Sequence, residues 1–324
     1  MVKFVSLSSL ACAALVAVAP PLAAQSYPSK PIRLIVPFPP GGSNDIVGRL
    51  IANELSGKLG QQVVVDNRGG AGGIIGSEIA AHAQPDGYTL LIASVAYAYN
   101  PSIYKSMLKF DPEKAFTPVT LLGTGPNALT VYPKLPVNSV KDLIALAKAK
   151  PGKLNYATAG IGSFQHLSSE MFRVLTGIDM VHVPFKGGGP AMANVIAGST
   201  EICIGSLIQV IPHIRSGRLK VLATGGAKRA PALPDVPTIA EAGVPGYEAN
   251  NWWGMLAPAG TPPAIVKRLH AEAEEVLENP EIKKKFESQG AETVSMSAAD
   301  FGKFIRAETV KWKKVVKDAG IKAQ

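Results

Sequence analysis

The sequence predicts an α/β fold in two domains, with parallel sheets covered by helices on both faces. Three observations carry this expectation. Short apolar runs such as Ile32–Val36 and Tyr88–Ala93 alternate with longer stretches of helical period. Strands that are apolar throughout, without polar alternation, belong to sheets buried on both sides. The chain has 324 residues, 47% of them hydrophobic, enough for the cores of about two domains at roughly 100–200 residues each.

Composition narrows the class. With 18% charged residues and a normal apolar fraction, intrinsic disorder is excluded. Glycine and proline number 32 and 26 and show no collagen period, which indicates many tight turns. The net charge of +9 invites nucleic acid or a membrane surface as partner. However, Lys283-Lys284-Lys285 and Lys311–Lys317 sit in helical stretches, where a solvated outer face is the default and no nucleic acid is expected.

The N-terminus reads as a cleaved secretory signal over residues 1–24. A short basic start at Lys3 precedes the uncharged stretch Phe4–Ala24, Pro20-Pro21 breaks the apolar run, and Leu22-Ala23-Ala24 supplies small residues before Gln25. The run is too short to span a bilayer. Ser9-Leu10-Ala11-Cys12 is a weak match to a lipoprotein signal. Cleavage would remove Lys3, lower the charge to +8 and leave Cys203 as the single cysteine, so no internal disulfide is expected. Cys203 lies in the apolar run Glu201–Gly205 and reads as a buried small hydrophobe.

Along the chain, Ile32–Val36 is a strand ended by Pro37, and Asp45–Leu59 a helix with Ile46, Leu50, Leu55 and Leu59 in period. Gln62–Val65 is a strand, Gly70–Ala83 helical and Tyr88–Ala93 a strand. Val119–Leu122 and Ala128–Tyr132 are two strands around Gly123, Gly125 and Pro126. Ser139 caps a helix reaching Lys150, with Asp142 three residues on. Leu154–Thr158 is a strand, and Ser163–Leu175 a helix with Gly177 just past its end. The alternation continues through Met180–Val183, Pro190–Ala197, Glu201–Gly205 and Leu219–Ala223. A late strand, Trp252–Ala257, precedes helices at Pro263–Leu277, Glu281–Ser288 and Ala298–Asp318.

In such folds ligands sit at the carboxyl ends of strands, beside helix N-termini. Three glycine-rich loops occupy those places: Pro37–Asp45, Thr158–Ser163 and Val183–Pro190. Ser43, Asn44 and Asp45 are placed to cap the next helix, and Pro190 is a good first helical residue. Free N–H groups and positive helix ends favour an anion. The same pattern reads equally as ordinary strand-to-helix turns.

Catalytic motifs are missing. Arg68–Gly73 does not satisfy G-x-G-x-x-G, Lys186–Gly189 lacks the Gly-Lys-Ser/Thr of a P-loop, and no G-x-S-x-G surrounds Ser163 or Ser206. Ser163 and His166 are three apart on one helix but have no identifiable acidic partner. His82, His166, His182, His213 and His270 show no metal-ligand spacing, and most are expected at surfaces or hydrogen-bonded in loops. Trp252 and Trp253 read as core or hinge residues. No catalytic residue, metal or cofactor is expected.

These segments, in order, resemble the Bug (TctC-like) solute-binding proteins of tripartite tricarboxylate transporters. The match runs from Tyr27-Pro28 and Lys30-Pro31-Ile32 through the Pro37–Asp45 loop, Gly72–Gly76, Pro85–Leu90, Gly162-Ser163 with His166-Leu167 and Val183–Gly187. It ends with Leu233–Thr238, Glu241–Gly243 and Ala257–Pro262. The resemblance implies a monomeric periplasmic receptor with a type II periplasmic-binding-protein fold and mixed, mostly parallel sheets. One lobe would comprise residues 27–124 and 248–324 and the other 125–247, joined near Thr124–Asn127 and Gly246–Asn250. A small organic acid would bind between closing lobes and pass to the membrane subunits of a transporter. Carried over, the first-lobe contacts are Phe38, Gly42, Ser43, Asn44, Asp45 and Ser94. The second-lobe contacts are Thr158, Gly160, Ser163, His166 and Phe185. Gly205-Ser206 stands where many relatives have an acid, which argues against an amino-acid ligand. Tyr97 and Tyr99 would either line an apolar end of the pocket or pack. A sensory subunit, or a secreted hydrolase using Ser163 and His166, are the alternatives.

Overall fold

The computed structural model describes residues 27–318 and 320–321, so the predicted signal segment and Cys12 lie outside the described residues. The chain opens with β1 (Ile32–Val36), α1 (Ser43–Leu59), β2 (Val63–Asn67), α2 (Ile74–Ala81), β3 (Thr89–Ser94) and α3 (Val95–Ile103). The long strand β4 (Phe116–Val131) leads into α4 (Val140–Ala149), β5 (Asn155–Thr158), α5 (Phe164–Thr176), β6 (Val181–Pro184) and α6 (Gly188–Ile196). Then come β7 (Ile202–Ser206), α7 (Leu207–Arg215) and β8 (Lys220–Thr224). The chain finishes with β9 (Asn250–Pro258), α8 (Pro263–Glu278), α9 (Pro280–Ser288), β10 (Glu292–Thr293) and α10 (Ala298–Asp318).

The strands lie in the order β2-β1-β3-β9-β4-β7-β5-β6, with β8 and β10 also paired to β4. Pairing is parallel at both ends, β1 with β2 and β3, and β5 with β6 and β7. It is antiparallel through the middle, where β4 and β9 run against their neighbours. The sheet is therefore mixed. The parallel units come from helical crossovers, whereas β4 and β9 carry the chain from one end to the other.

The two strands expected around Gly123 to Pro126 are one. Phe116 to Pro126 pair with β9, then Asn127 to Val131 pair with β7 and β8. Register shifts between Pro118 and Thr120 and between Leu121 and Gly123 absorb the irregularity without ending the strand, and Gly123 to Pro126 pair regularly with β9. The helix expected over Gly70–Ala83 is shorter, because Gly72 and Gly73 adopt positive φ in a 3₁₀ turn before α2. Two helices were not expected, α3 and α7. Each follows an apolar strand with no intervening polar loop and contains a proline.

Local signals work where they are strong. Ser139 Oγ accepts from Asp142 N at 3.1 Å at the start of α4, and the Asp142 carboxylate accepts in turn from the backbone N–H groups of Asn138 and Ser139. Gly177 ends α5 at φ +62, a conformation that a side chain would strain.

Both sheet faces are covered. Ile32, Leu34 and Val36 of β1 and Leu90 and Ile92 of β3 pack with Val47, Ile51 and Leu269. Ile35 and Leu91 face the opposite cluster with Tyr99, Phe301 and Trp312. Adjacent Trp252 and Trp253 divide between these two cores, as a strand's period of two requires. Cys203 is fully buried with Leu207 and Val210, and burial pushes its thiol up to about 12. Lys283, Lys284 and Lys285 are exposed on α9.

Candidate ligand-binding site

Five strand ends run directly or through short loops into helices, and the helix starts converge. The residues just before α1, α3, α5 and α7 are Gly42, Ser94, Ser163 and Ser206, and α6 begins at Gly188. All five residues line one cleft. A helix start leaves N–H groups without partners inside the helix and carries a partial positive charge. The cleft lining includes no Asp, Glu, Lys, Arg or His. Its free volume is about 40 Å³, room for a few water molecules.

The polar floor is tied together from below. Asn44, in the first turn of α1, donates to Ser94 Oγ at 3.2 Å and accepts the Trp253 indole N–H at 3.0 Å. Asn251 of β9 donates to Ser43 Oγ and Ser206 Oγ, and its side-chain oxygen takes the N–H groups of Val95 and Trp252. On the opposite wall Gln165 Nε2 donates to Gln209 Oε1 at 3.1 Å.

Of the eleven residues assigned by resemblance, Phe38, Gly42, Ser43, Asn44, Ser94 and Ser163 line this cleft. Gly160 and Phe185 line a neighbouring recess that also includes Phe38 and Lys186. Asp45, Thr158 and His166 stand behind the surface as braces. Asp45 accepts from Gly41 N at 3.0 Å and Asn67 Nδ2 at 2.9 Å and pairs with Arg49 at 2.9 Å. Burial alone would raise its carboxyl, but the hydrogen bonds from Arg49, Gly41 and Asn67 outweigh it and hold the group below the ordinary range. Ser43, Asn44 and Asp45 are first-turn residues and not caps, because α1 begins at Ser43 after Gly42. Likewise Pro190 is the third residue of α6.

Thr158 Oγ1 accepts from Gly160 N at 3.2 Å and bonds His182 Nε2 at 2.6 Å. The His182 ring lies stacked between Tyr156 and His166, 4.3 Å from the latter. Tyr156 donates to Glu170, which also takes two bonds from Arg173. Ser163 and His166, the pair that the alternative hydrolase would use, make no side-chain hydrogen bond to each other. Ser163 Oγ accepts the backbone N–H of His166 as the helix cap, and His166 Nδ1 accepts from Gly162 N. Among the described residues no group of His, Cys, Asp and Glu could hold a metal ion.

Reasoning from sequence missed Gln165, Gln209 and Asn251 as cleft residues. Asn251 adjoins the crossing segment expected at Gly246–Asn250, and Gln209 follows a strand end, so position alone offered a signal. Tyr97 lines an apolar recess that shares Phe38, Ser94 and Ala96 with the cleft. Tyr99 is instead fully buried against Trp312.

Comparison with known proteins places the chain in context. Residues 47–321 match the model of the tripartite tricarboxylate transporter family receptor. The chain is 39% identical over 311 residues to Protein BugT of Bordetella pertussis, covering 94% of each chain. It superposes on an R. palustris protein with adipate at TM-score 0.89 and 39% identity, covering 91% of this chain and 99% of that one. It also superposes on MatC from Rhodopseudomonas palustris with bound malate at TM-score 0.84 and 31% identity, covering 90% and 100%.

Proposed function

The chain belongs to the tripartite tricarboxylate transporter receptor family, and on that footing we propose that it binds a small organic carboxylate in the cleft between two lobes. The family consists of solute receptors, not enzymes. One observation carries the reading: five helix starts meet at a cleft whose lining carries no charged side chain. Backbone N–H groups and helix dipoles suit a carboxylate, and closure of the lobes, by excluding water, strengthens each hydrogen bond. Adipate and malate in two structural relatives support the same ligand class.

We assign residues 27–124 and 248–324 to one lobe and 125–247 to the other. The change of partners along β4 near Pro126 and Asn127 supports that division. Phe38, Gly42, Ser43, Asn44, Ser94 and Ser163 are then the direct contacts, with Asp45, Thr158 and His166 holding the loops and Gly160 and Phe185 closing one flank. Uptake would then involve the lobes parting to admit the ligand and closing on it. The loaded protein, monomeric and periplasmic, would deliver its ligand to the membrane subunits of the transporter. No helix among the described residues is long and apolar enough to cross a membrane.

A thermal-shift screen of the mature protein against mono-, di- and hydroxycarboxylates tests this. A ligand at a hundred times its Kd stabilises by about 2.7 kcal/mol. Stabilisation by sugars or cations, with no response to any carboxylate, would overturn the reading.

A further inference from the structure

Of the polar side chains lining the cleft, only those of Gln165 and Gln209 carry a buried atom with no hydrogen-bond partner among the described residues. Both are more than nine-tenths buried, at 4% and 6% exposure. Their mutual bond uses Gln165 Nε2 and Gln209 Oε1, leaving Gln165 Oε1 as a free acceptor and Gln209 Nε2 as a free donor. Turning both amides exchanges the residues' roles but leaves the same pair of functions. An unpaired buried amide is costly, so such a pair points to a partner.

The surroundings are built to hold these amides. A Cβ on Gly188 would come within 2.8 Å of Gln209 Nε2, and one on Gly205 within 3.1 Å of Gln165 Nε2. A carboxylate satisfies helix N–H groups but offers nothing to the free acceptor. That acceptor needs an N–H or O–H on the ligand. An ammonium would enter a cleft lining without a carboxylate to neutralise it, which leaves a neutral group.

We propose that Gln165 and Gln209 act as a specificity pair, selecting carboxylates that also carry a hydroxyl or a carboxamide. The proposal rests on the receptor reading above and names the ligand class within it. The test is calorimetric titration of the mature protein with matched probes: succinate, malate and succinamate in one set, adipate and adipamate in another. In at least one set the hydroxyl or carboxamide member binds about tenfold tighter or more than its parent diacid. In the double variant Gln165→Met, Gln209→Met the ratio of the two affinities falls to within about threefold. A parent diacid that binds tightest in both sets overturns the proposal, as does a preference that survives the double variant. If the variant does not fold, the ranking in the unaltered protein decides. Binding of carboxylates without preference overturns the pair's role alone, whereas no binding of any carboxylate overturns the receptor reading and this proposal together.

Discussion

The side-chain amide of Asn251 donates to Ser206 Oγ at 3.2 Å, and the same nitrogen reaches Ser43 Oγ at 3.3 Å. Ser43 opens α1 and Ser206 precedes α7, helices that follow strands on opposite sides of β4. One buried amide on β9 therefore ties together both walls of the cleft.

Asn251→Asp should keep the fold and lose the ligand. The retained oxygen still accepts from Val95 and Trp252, while the hydroxyls of Ser43 and Ser206 can turn to donate. A second charge at about 4 Å from a bound carboxylate repels it by about 1–4 kcal/mol, so titration should show affinity down roughly tenfold to a thousandfold. Unchanged affinity would place the carboxylate elsewhere.

Ser163→Ala should cost stability and reveal no lost turnover. Removing a helix cap destabilises by about 0.5–2 kcal/mol, read as a lower denaturant midpoint. Ester hydrolysis should be absent before and after the change. Activity that disappears with Ser163 would instead establish serine chemistry.

Gly225→Ala should destabilise the fold without touching the cleft lining. An added Cβ would fall 1.7 Å from Asn127 Oδ1, in a fully buried residue that donates to Tyr247 Oη. Overpacking of this kind costs about 1–3 kcal/mol. An unfolding curve that matches the parent protein would show that Asn127 can move aside.

Stability should fall on acidification through the stacked histidines. Burial first, then repulsion from His166, lowers the His182 pKa from 6.5 to about 4. Burial lowers His166 as well. Below about pH 6.5 the unfolded chain takes up protons that the folded rings refuse, so stability is full near neutrality and declines toward pH 4. His182→Gln should flatten the fall in denaturant midpoint between about pH 7 and pH 5 relative to the parent. Superimposable pH profiles would remove His182 from this role.

Much of the fold was legible because its signals are local. Ile32–Val36 was read to the residue, and the helix at Ala298–Asp318 likewise. The caps at Ser139 and Gly177 are set by neighbours within a few residues. The helices α3 and α7 were not legible, since each continues an apolar strand and periodicity cannot divide such a run. Each also holds a proline, Pro101 or Pro212, a residue disfavoured inside helices.

The candidate site divides the same way. Gly42, Ser43 and Ser163 could be found because glycine-rich loops before helices announce themselves in a few residues. Gln165, Gln209 and Asn251 belong to no motif, and only position beside a strand end or crossing segment marks the last two. By itself the sequence determined the alternation of strands and helices, the loops at helix starts and a chemistry suited to anions. Only the tertiary structure decided which loops meet, that Asp45 and His166 brace the site from behind, and that two glutamines face each other across 44 residues of chain. The reason is physical: capping and periodicity are satisfied within a turn of helix, whereas the cleft gathers residues from Phe38 to Asn251, brought together by a sheet in which β4 and β9 pair residues more than 120 positions apart.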